Sequence, residues 1–315
     1  IFVDGTTLNL RCCSDEDQTI GIPYIKYYIK MDLKHLFYIF LSGICLVKAE
    51  DYMVFYGGMK EISGSDPTRL AYAFSSVREN VVSISGPGTA QEERNIEPNV
   101  ITWETVAKGL LPDAGRQNNK NVLLSSSRPM TAFGHMYTEK KGQGALMAIP
   151  NIGTDSKQFI VTSFPPKSGE QSNIVIATRE NTNVKILDTD KKEVLSKTIQ
   201  ARQIFSYNVA NDVSGYTVTA NNPVSVISGT SCAEHSDSEC EPLAGYMPPV
   251  ERLGKYHIIP QISGKLPGSQ AIKVRVVAAS QSTKVSFFRQ ITNAIVELAN
   301  LDAGEYYDVD LSGTE

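Results

Sequence analysis

The stretch NVKILDTDKKEVLSKTI, Asn183 to Ile199, places two apolar-rich runs on either side of a charged centre. Val184 and Ile186 alternate with polar residues, which is the pattern of a half-buried strand, and Val, Ile and Thr are the residues that favour strands. Asp188 and Asp190 occupy positions one and three of a calcium loop, but the glycine at six and the glutamate at twelve are missing. The segment therefore reads as strand, charged turn, strand. The same texture extends in both directions, in NIVIAT, QIFSYNV, YTVTANNPVSVIS and KVRVVAASQSTKVSFF. Turn residues recur at the spacing of about 8 to 12 positions that marks all-β sandwiches and barrels.

Two segments depart from this texture. Ile101 to Leu111, ITWETVAKGLL, is the best helix candidate, although Ile101-Thr102-Trp103 also suits a strand. Ser83 to Pro98 is rich in Gly, Pro and charge and reads as a long exposed loop.

The chain also echoes itself. VIATRENTNVKI from Val175 matches VVAASQSTKVSF from Val276 with Val175/Val276, Ala177/Ala278, Thr182/Thr283 and Val184/Val285 in register. ARQIFSYNV from Ala201 returns in outline as AGEYYDVDL from Ala303. We expect an all-β fold of tandem sandwich-like modules of about 100 residues, with paired propeller blades as the alternative. The boundaries fall near Gly153 and Gly254, giving modules 50–153, 154–254 and 255–315, the last of them truncated.

Upstream, MDLKHLFYIFLSGICLVKAED begins at Met31, the first methionine of a chain that opens with Ile1. A polar head, an apolar run from Leu36 to Val47 and small residues at Val47 and Ala49 are the three parts of a secretory signal. The run is too short to cross a hydrocarbon core of about 30 Å, so no membrane span is expected. Residues 31–49 read as a signal peptide and residues 1–30 as a leader not native to the protein. Export then leaves Cys232 and Cys240 as the cysteines of the mature chain. In an oxidising compartment these two are expected to pair, with a loop-closure contribution of about 2.5 kcal/mol.

Removing residues 1–49 takes away equal numbers of acidic and basic residues, so the net charge stays at −4. No basic block stands out, which disfavours nucleic acid as a partner. Neither a nucleophile elbow, a phosphate loop, a dinucleotide fingerprint nor a zinc-protease motif occurs. His135, His235 and His257 are far apart in sequence. In CAEHSDSECE, the residues Glu234, His235, Asp237 and Glu239 form a candidate contact loop between the two cysteines, and Glu241 just after Cys240 is a fifth potential ligand. It reads as a solvated acidic tip in preference to a metal site, so no metal and no cofactor are expected.

PVSVISGTSCAEHSDSEC, followed by YMPPVERLGKYHIIPQI, resembles the N-terminal region of the IgGFc-binding protein family. The matching positions are Pro223, Val224, Val226, Ser228, Gly229, Ser231, Cys232, Cys240, Pro248, Gly254 and Tyr256. The resemblance implies a secreted, mucus-associated or matrix protein with a β-rich domain and a binding or gel-forming role without catalysis. The expected function is recognition of an extracellular protein or glycan, including mucin, with a secreted glycan hydrolase as the rival.

Overall fold

The computed structural model describes residues 3–4, 7–8, 50–57, 68–87, 91–106, 109–138, 144–151, 156–233, 242–259, 272–289 and 293–311. The expected signal segment and the residues Glu234 to Glu241 lie outside the described residues. The chain divides into two units, Ile1–Lys48 and Ala49–Glu315. In the first, β1 (Val3–Asp4) pairs antiparallel with β2 (Thr7–Leu8).

Among the described residues the second unit is built from strands, with a single 3-10 turn at Val250–Arg252. β3 (Glu50–Val54), β5 (Asn80–Ser85), β6 (Glu92–Ile96) and β9 (Val122–Ser126) form one sheet in the order β3-β9-β5-β6. β4 (Thr68–Ser75), β7 (Thr102–Val106), β10 (Thr131–Thr138) and β11 (Gly144–Ile149) form a second in the order β11-β10-β4-β7. Alternate residues point inward from each, and Val54, Leu70, Phe74, Val82, Leu124 and Met136 meet in a common core.

Here the helix candidate fails: Thr102 to Val106 is strand β7, paired with β4. Its β-branched and aromatic residues fit a pleated edge, and pairing overrides a weak helical period. The segment Ser83 to Pro98 is likewise not one long loop, because Glu92 to Ile96 returns as β6 against β5. Its charges made it look like a loop; they sit on an edge strand, where exposed charge is the normal composition.

The next sheets are β12 (Gln158–Ile160), β14 (Thr182–Leu187), β15 (Glu193–Ile199) and β17 (Thr217–Ala220), in the order β12-β17-β14-β15. Opposite them stand β13 (Ser172–Thr178), β16 (Ile204–Val209), β18 (Val224–Thr230), β19 (Leu243–Tyr246) and the earlier β8 (Gln117–Asn118), in the order β19-β18-β13-β16-β8. The turn between β14 and β15 follows the sequence reading. Asp188 Oδ1 accepts the amide hydrogens of Asp190 and Lys192, both at 3.0 Å.

The five-stranded sheet is buried on both faces at its centre, where every residue of β13 and β18 is buried. One face sends Ile174, Ile176, Val224 and Val226 into the core shared with β14. The other sends Val175, Ala177 and Ile227 into the core of the first two sheets. The chain after β3 is pressed between them. A Cβ on Gly57 would lie 2.7 Å from Ile227 Cγ2 and 3.1 Å from Val175 Cγ2, so only glycine fits there.

Tyr246 completes this junction from β19. Its hydroxyl accepts from Phe55 N at 3.0 Å and donates to the carbonyl of Phe55 or Met53, and its ring meets Phe55 edge-on at 5.1 Å. Burial holds the phenol far above its usual pKa, so it stays neutral. Tyr246→Phe is expected to cost about 1 to 3 kcal/mol, because a buried amide and carbonyl lose their partner. Urea denaturation checks this, and an unchanged midpoint refutes it.

The last strands are β20 (Ile272–Val277), β21 (Thr283–Arg289), β22 (Ala294–Leu301) and β23 (Tyr306–Leu311). β20 pairs with β23 and β21 with β22. β13 and β16, and β14 and β15, are nested in the same way: Val175 lies opposite Ser206 as Val276 lies opposite Tyr307. The segments that echo each other in sequence thus carry one pairing scheme.

Candidate functional site

Register places one set of side chains on the outer face of the sheet β11-β10-β4-β7. Across it, Leu146, His135, Ala71 and Thr105 form one row, and Ala148, Phe133, Ala73 and Trp103 form the next. Trp103 is 54% exposed and Leu146 62%. Ala71 and Ala73 share this face yet are buried, roofed by the larger side chains on either side. The imidazole of His135 stacks on Tyr137 at 4.5 Å and meets Trp103 edge-on at 6.0 Å. The result is an aromatic platform of Trp103, Phe133, His135 and Tyr137 on the face shared with Ala71 and Ala73.

Desolvation lowers the pKa of His135, so the imidazole favours its neutral form more than usual. The linkage follows directly. Its contribution to stability is full above the ordinary value of about 6.5 and is lost as pH falls through the lower folded value. Such a face combines aromatic rings with a neutral donor and acceptor. It offers stacking surface and hydrogen bonding, which suit recognition.

Among the described residues, two pairs of neighbouring carboxylates are each bridged by an arginine. Asp308 accepts two hydrogen bonds from Arg275, both at 2.7 Å, and Asp212 accepts a third. Arg275 also donates to Ser163 O at 3.0 Å and lies over the rings of Tyr306 at 3.9 Å and Phe164 at 4.6 Å. Desolvation opposes its charge, but the two carboxylates outweigh that and keep the guanidinium more basic than usual. Hydrogen bonding from Arg275 lowers the pKa of Asp308 in turn. Glu92 and Glu104 are joined by Arg94 in the same manner, at 2.7 and 3.2 Å. Carboxylates neutralised by an arginine between them are poor general acids or bases.

Of the residues singled out in sequence, Cys232 is buried at the end of β18. Cys240 and the contact-loop residues Glu234, His235, Asp237 and Glu239 lie outside the described residues. Gly254 and Tyr256 fall on a surface segment in which Tyr256 is 96% exposed. Sequence reasoning missed the aromatic platform. Its signal was present: Phe133-Gly-His135-Met-Tyr137 alternates rings with small or flexible residues at period two, near in space to the single tryptophan. Among the described residues, no group of three His, Cys, Asp or Glu side chains is placed to hold a metal. No helix there is long and apolar enough to cross a membrane.

Stacked sheets define an all-β, sandwich-built protein with an open aromatic face. The chain belongs to the IgGFc binding protein family, whose sequence profile matches residues 145–314. It is also similar to the IgGFc-binding protein of Homo sapiens, with 30% identity over 95 residues. That stretch is 30% of this chain and 2% of the human protein's length. No solved structure matches the chain.

Proposed function

We propose that this chain is a secreted, extracellular and non-catalytic module that captures a protein partner. The observation that carries the reading is the platform of Trp103, Phe133, His135 and Tyr137 on an otherwise ordinary sheet. Monomeric proteins seldom leave such rings uncovered, and Trp and Tyr dominate the energetics of protein interfaces. The family supports binding over catalysis, and the human relative's name concerns binding to a protein. The arginine-bridged carboxylates argue against the hydrolase. In this proposal the signal peptide ends at Ala49 and Cys232 bridges to Cys240. The burial of Cys232 supports that pairing.

The test uses residues 50–315 as bait in mucus and serum, with Trp103→Ala as the paired variant and a glycan array run alongside. Removing an interface tryptophan is expected to cost about 2 kcal/mol, or about thirtyfold in affinity, with the melting temperature nearly unchanged. Capture should also weaken as pH falls through the depressed pKa of His135, below the ordinary imidazole value of about 6.5, where the ring becomes charged. Equal capture by the variant would dismiss the platform, and glycan binding without protein capture would overturn the partner class.

A further inference from the structure

What the aromatic face can accept is set by the atoms it presents. His135 and Tyr137 lie ring against ring, with 17° between their planes, and Trp103 meets the imidazole at 62°. The ring faces they share are covered, which leaves their edges and polar atoms for a partner. Among the described residues, the indole N–H of Trp103, the imidazole nitrogens of His135 and the hydroxyl of Tyr137 have no hydrogen-bond partner within the chain. An indole only donates, while a phenol and a neutral imidazole can each donate one hydrogen. Charge is nearly absent: at the outward positions of β11, β10, β4 and β7 the one side chain of fixed charge is Arg69, in the row of Tyr137.

A neutral surface rich in donors and aromatic edges selects its ligand by subtraction. An ordinary extended peptide laid across it brings an N–H with every carbonyl, and an N–H turned toward another donor loses its water without gaining a partner. Proline has no N–H. A polyproline II segment makes no internal hydrogen bonds, so its carbonyls are open to donors, and its pyrrolidine rings give apolar surface to set against aromatic ones. Its fixed φ also lowers the ordering cost of binding.

Taking this face as the contact surface, as proposed above, we infer that the partner presents an uncharged, proline-rich segment in the polyproline II conformation. Its carbonyls accept from Trp103, His135 and Tyr137, and its pyrrolidines pack against Phe133 and the exposed Leu146. A charged segment fits less well, because its charge would be desolvated against rings with little fixed charge to answer it.

Trp103 is the single tryptophan of the chain, so its emission reports the contact directly. The probe is capped decaproline titrated into the full chain, with a capped Gly-Ser peptide of equal length as the flexible control. Decaproline is expected to move the emission to shorter wavelength and to saturate with a Kd of about 1 mM or tighter, while the Gly-Ser peptide does not saturate. Tyr137→Phe keeps the ring and removes its donor, and should weaken binding about fivefold with the melting temperature unchanged. Raising the salt from about 0.05 M to about 0.5 M should leave the Kd as it was, since neutral contacts are not screened. Equal responses to the two peptides, or no response at about 10 mM decaproline, overturns the inference. If capture from serum still depends on Trp103 after that failure, the contact surface stands and only the partner's chemistry is wrong; if that dependence is lost as well, the surface falls with it.

Discussion

Arg275→Ala is expected to destabilise the C-terminal strands by about 3 kcal/mol and to release them from the sheets before them. The arginine side chain is 4% exposed and joins β23 through Asp308 to the 163–164 and 212–214 segments. Removing it leaves two carboxylates facing each other with no cation between them, and strips the rings of Phe164 and Tyr306 of their partner. Proteolysis of β20 to β23 should then precede global unfolding. A loss below about 1 kcal/mol would show the ion pair to be ornamental.

A rescue is encoded in the chain itself. Ile174 opposite Tyr207 occupies the position that Arg275 and Asp308 hold one period later. Arg275→Ile with Asp308→Tyr is therefore expected to recover much of the loss, because apolar pairs often replace buried ion pairs without penalty. Acid should mimic the single variant. The pKa of Asp308 is depressed in the fold, so its contribution is present above about pH 4 and disappears as pH falls through the lower folded value.

Gly215→Ala should be as damaging, at about 3 kcal/mol or more. Gly215 has φ of 83°, and a Cβ there would stand 1.9 Å from the carbonyl oxygen of Gly304, itself at φ of 92°. Two backbones touch at this point, and neither can give way by rotating a side chain. Gly169 supplies the control, since its φ is 82° but nothing lies within 4 Å of its Cβ. Gly169→Ala should carry only the left-handed cost of about 1 kcal/mol. Equal melting temperatures for the two variants would remove the argument from contact.

Period-two alternation in Val184 to Ile186 was enough to read β14, and the Asp188 turn was legible from its side-chain chemistry. Thr102 to Val106 was ambiguous because only its partner β4 decides between strand and helix. The charge of Glu92 to Arg94 hid a strand, since an edge needs little apolar content. The platform escaped notice for a different reason. Trp103 and His135 are distant in the chain, and only the order β11-β10-β4-β7 brings them onto one surface.

The doubly covered strand β18 has one more consequence, for how the chain can vary. An ordinary strand has a wet side on which substitutions are harmless, whereas Val224 to Thr230 has none. Each replacement there must satisfy two packed neighbourhoods at once, so this heptapeptide, with β13 beside it, should be among the least mutable stretches of the protein. That gives a physical reason why the run beginning at Pro223 carries so much of the family resemblance.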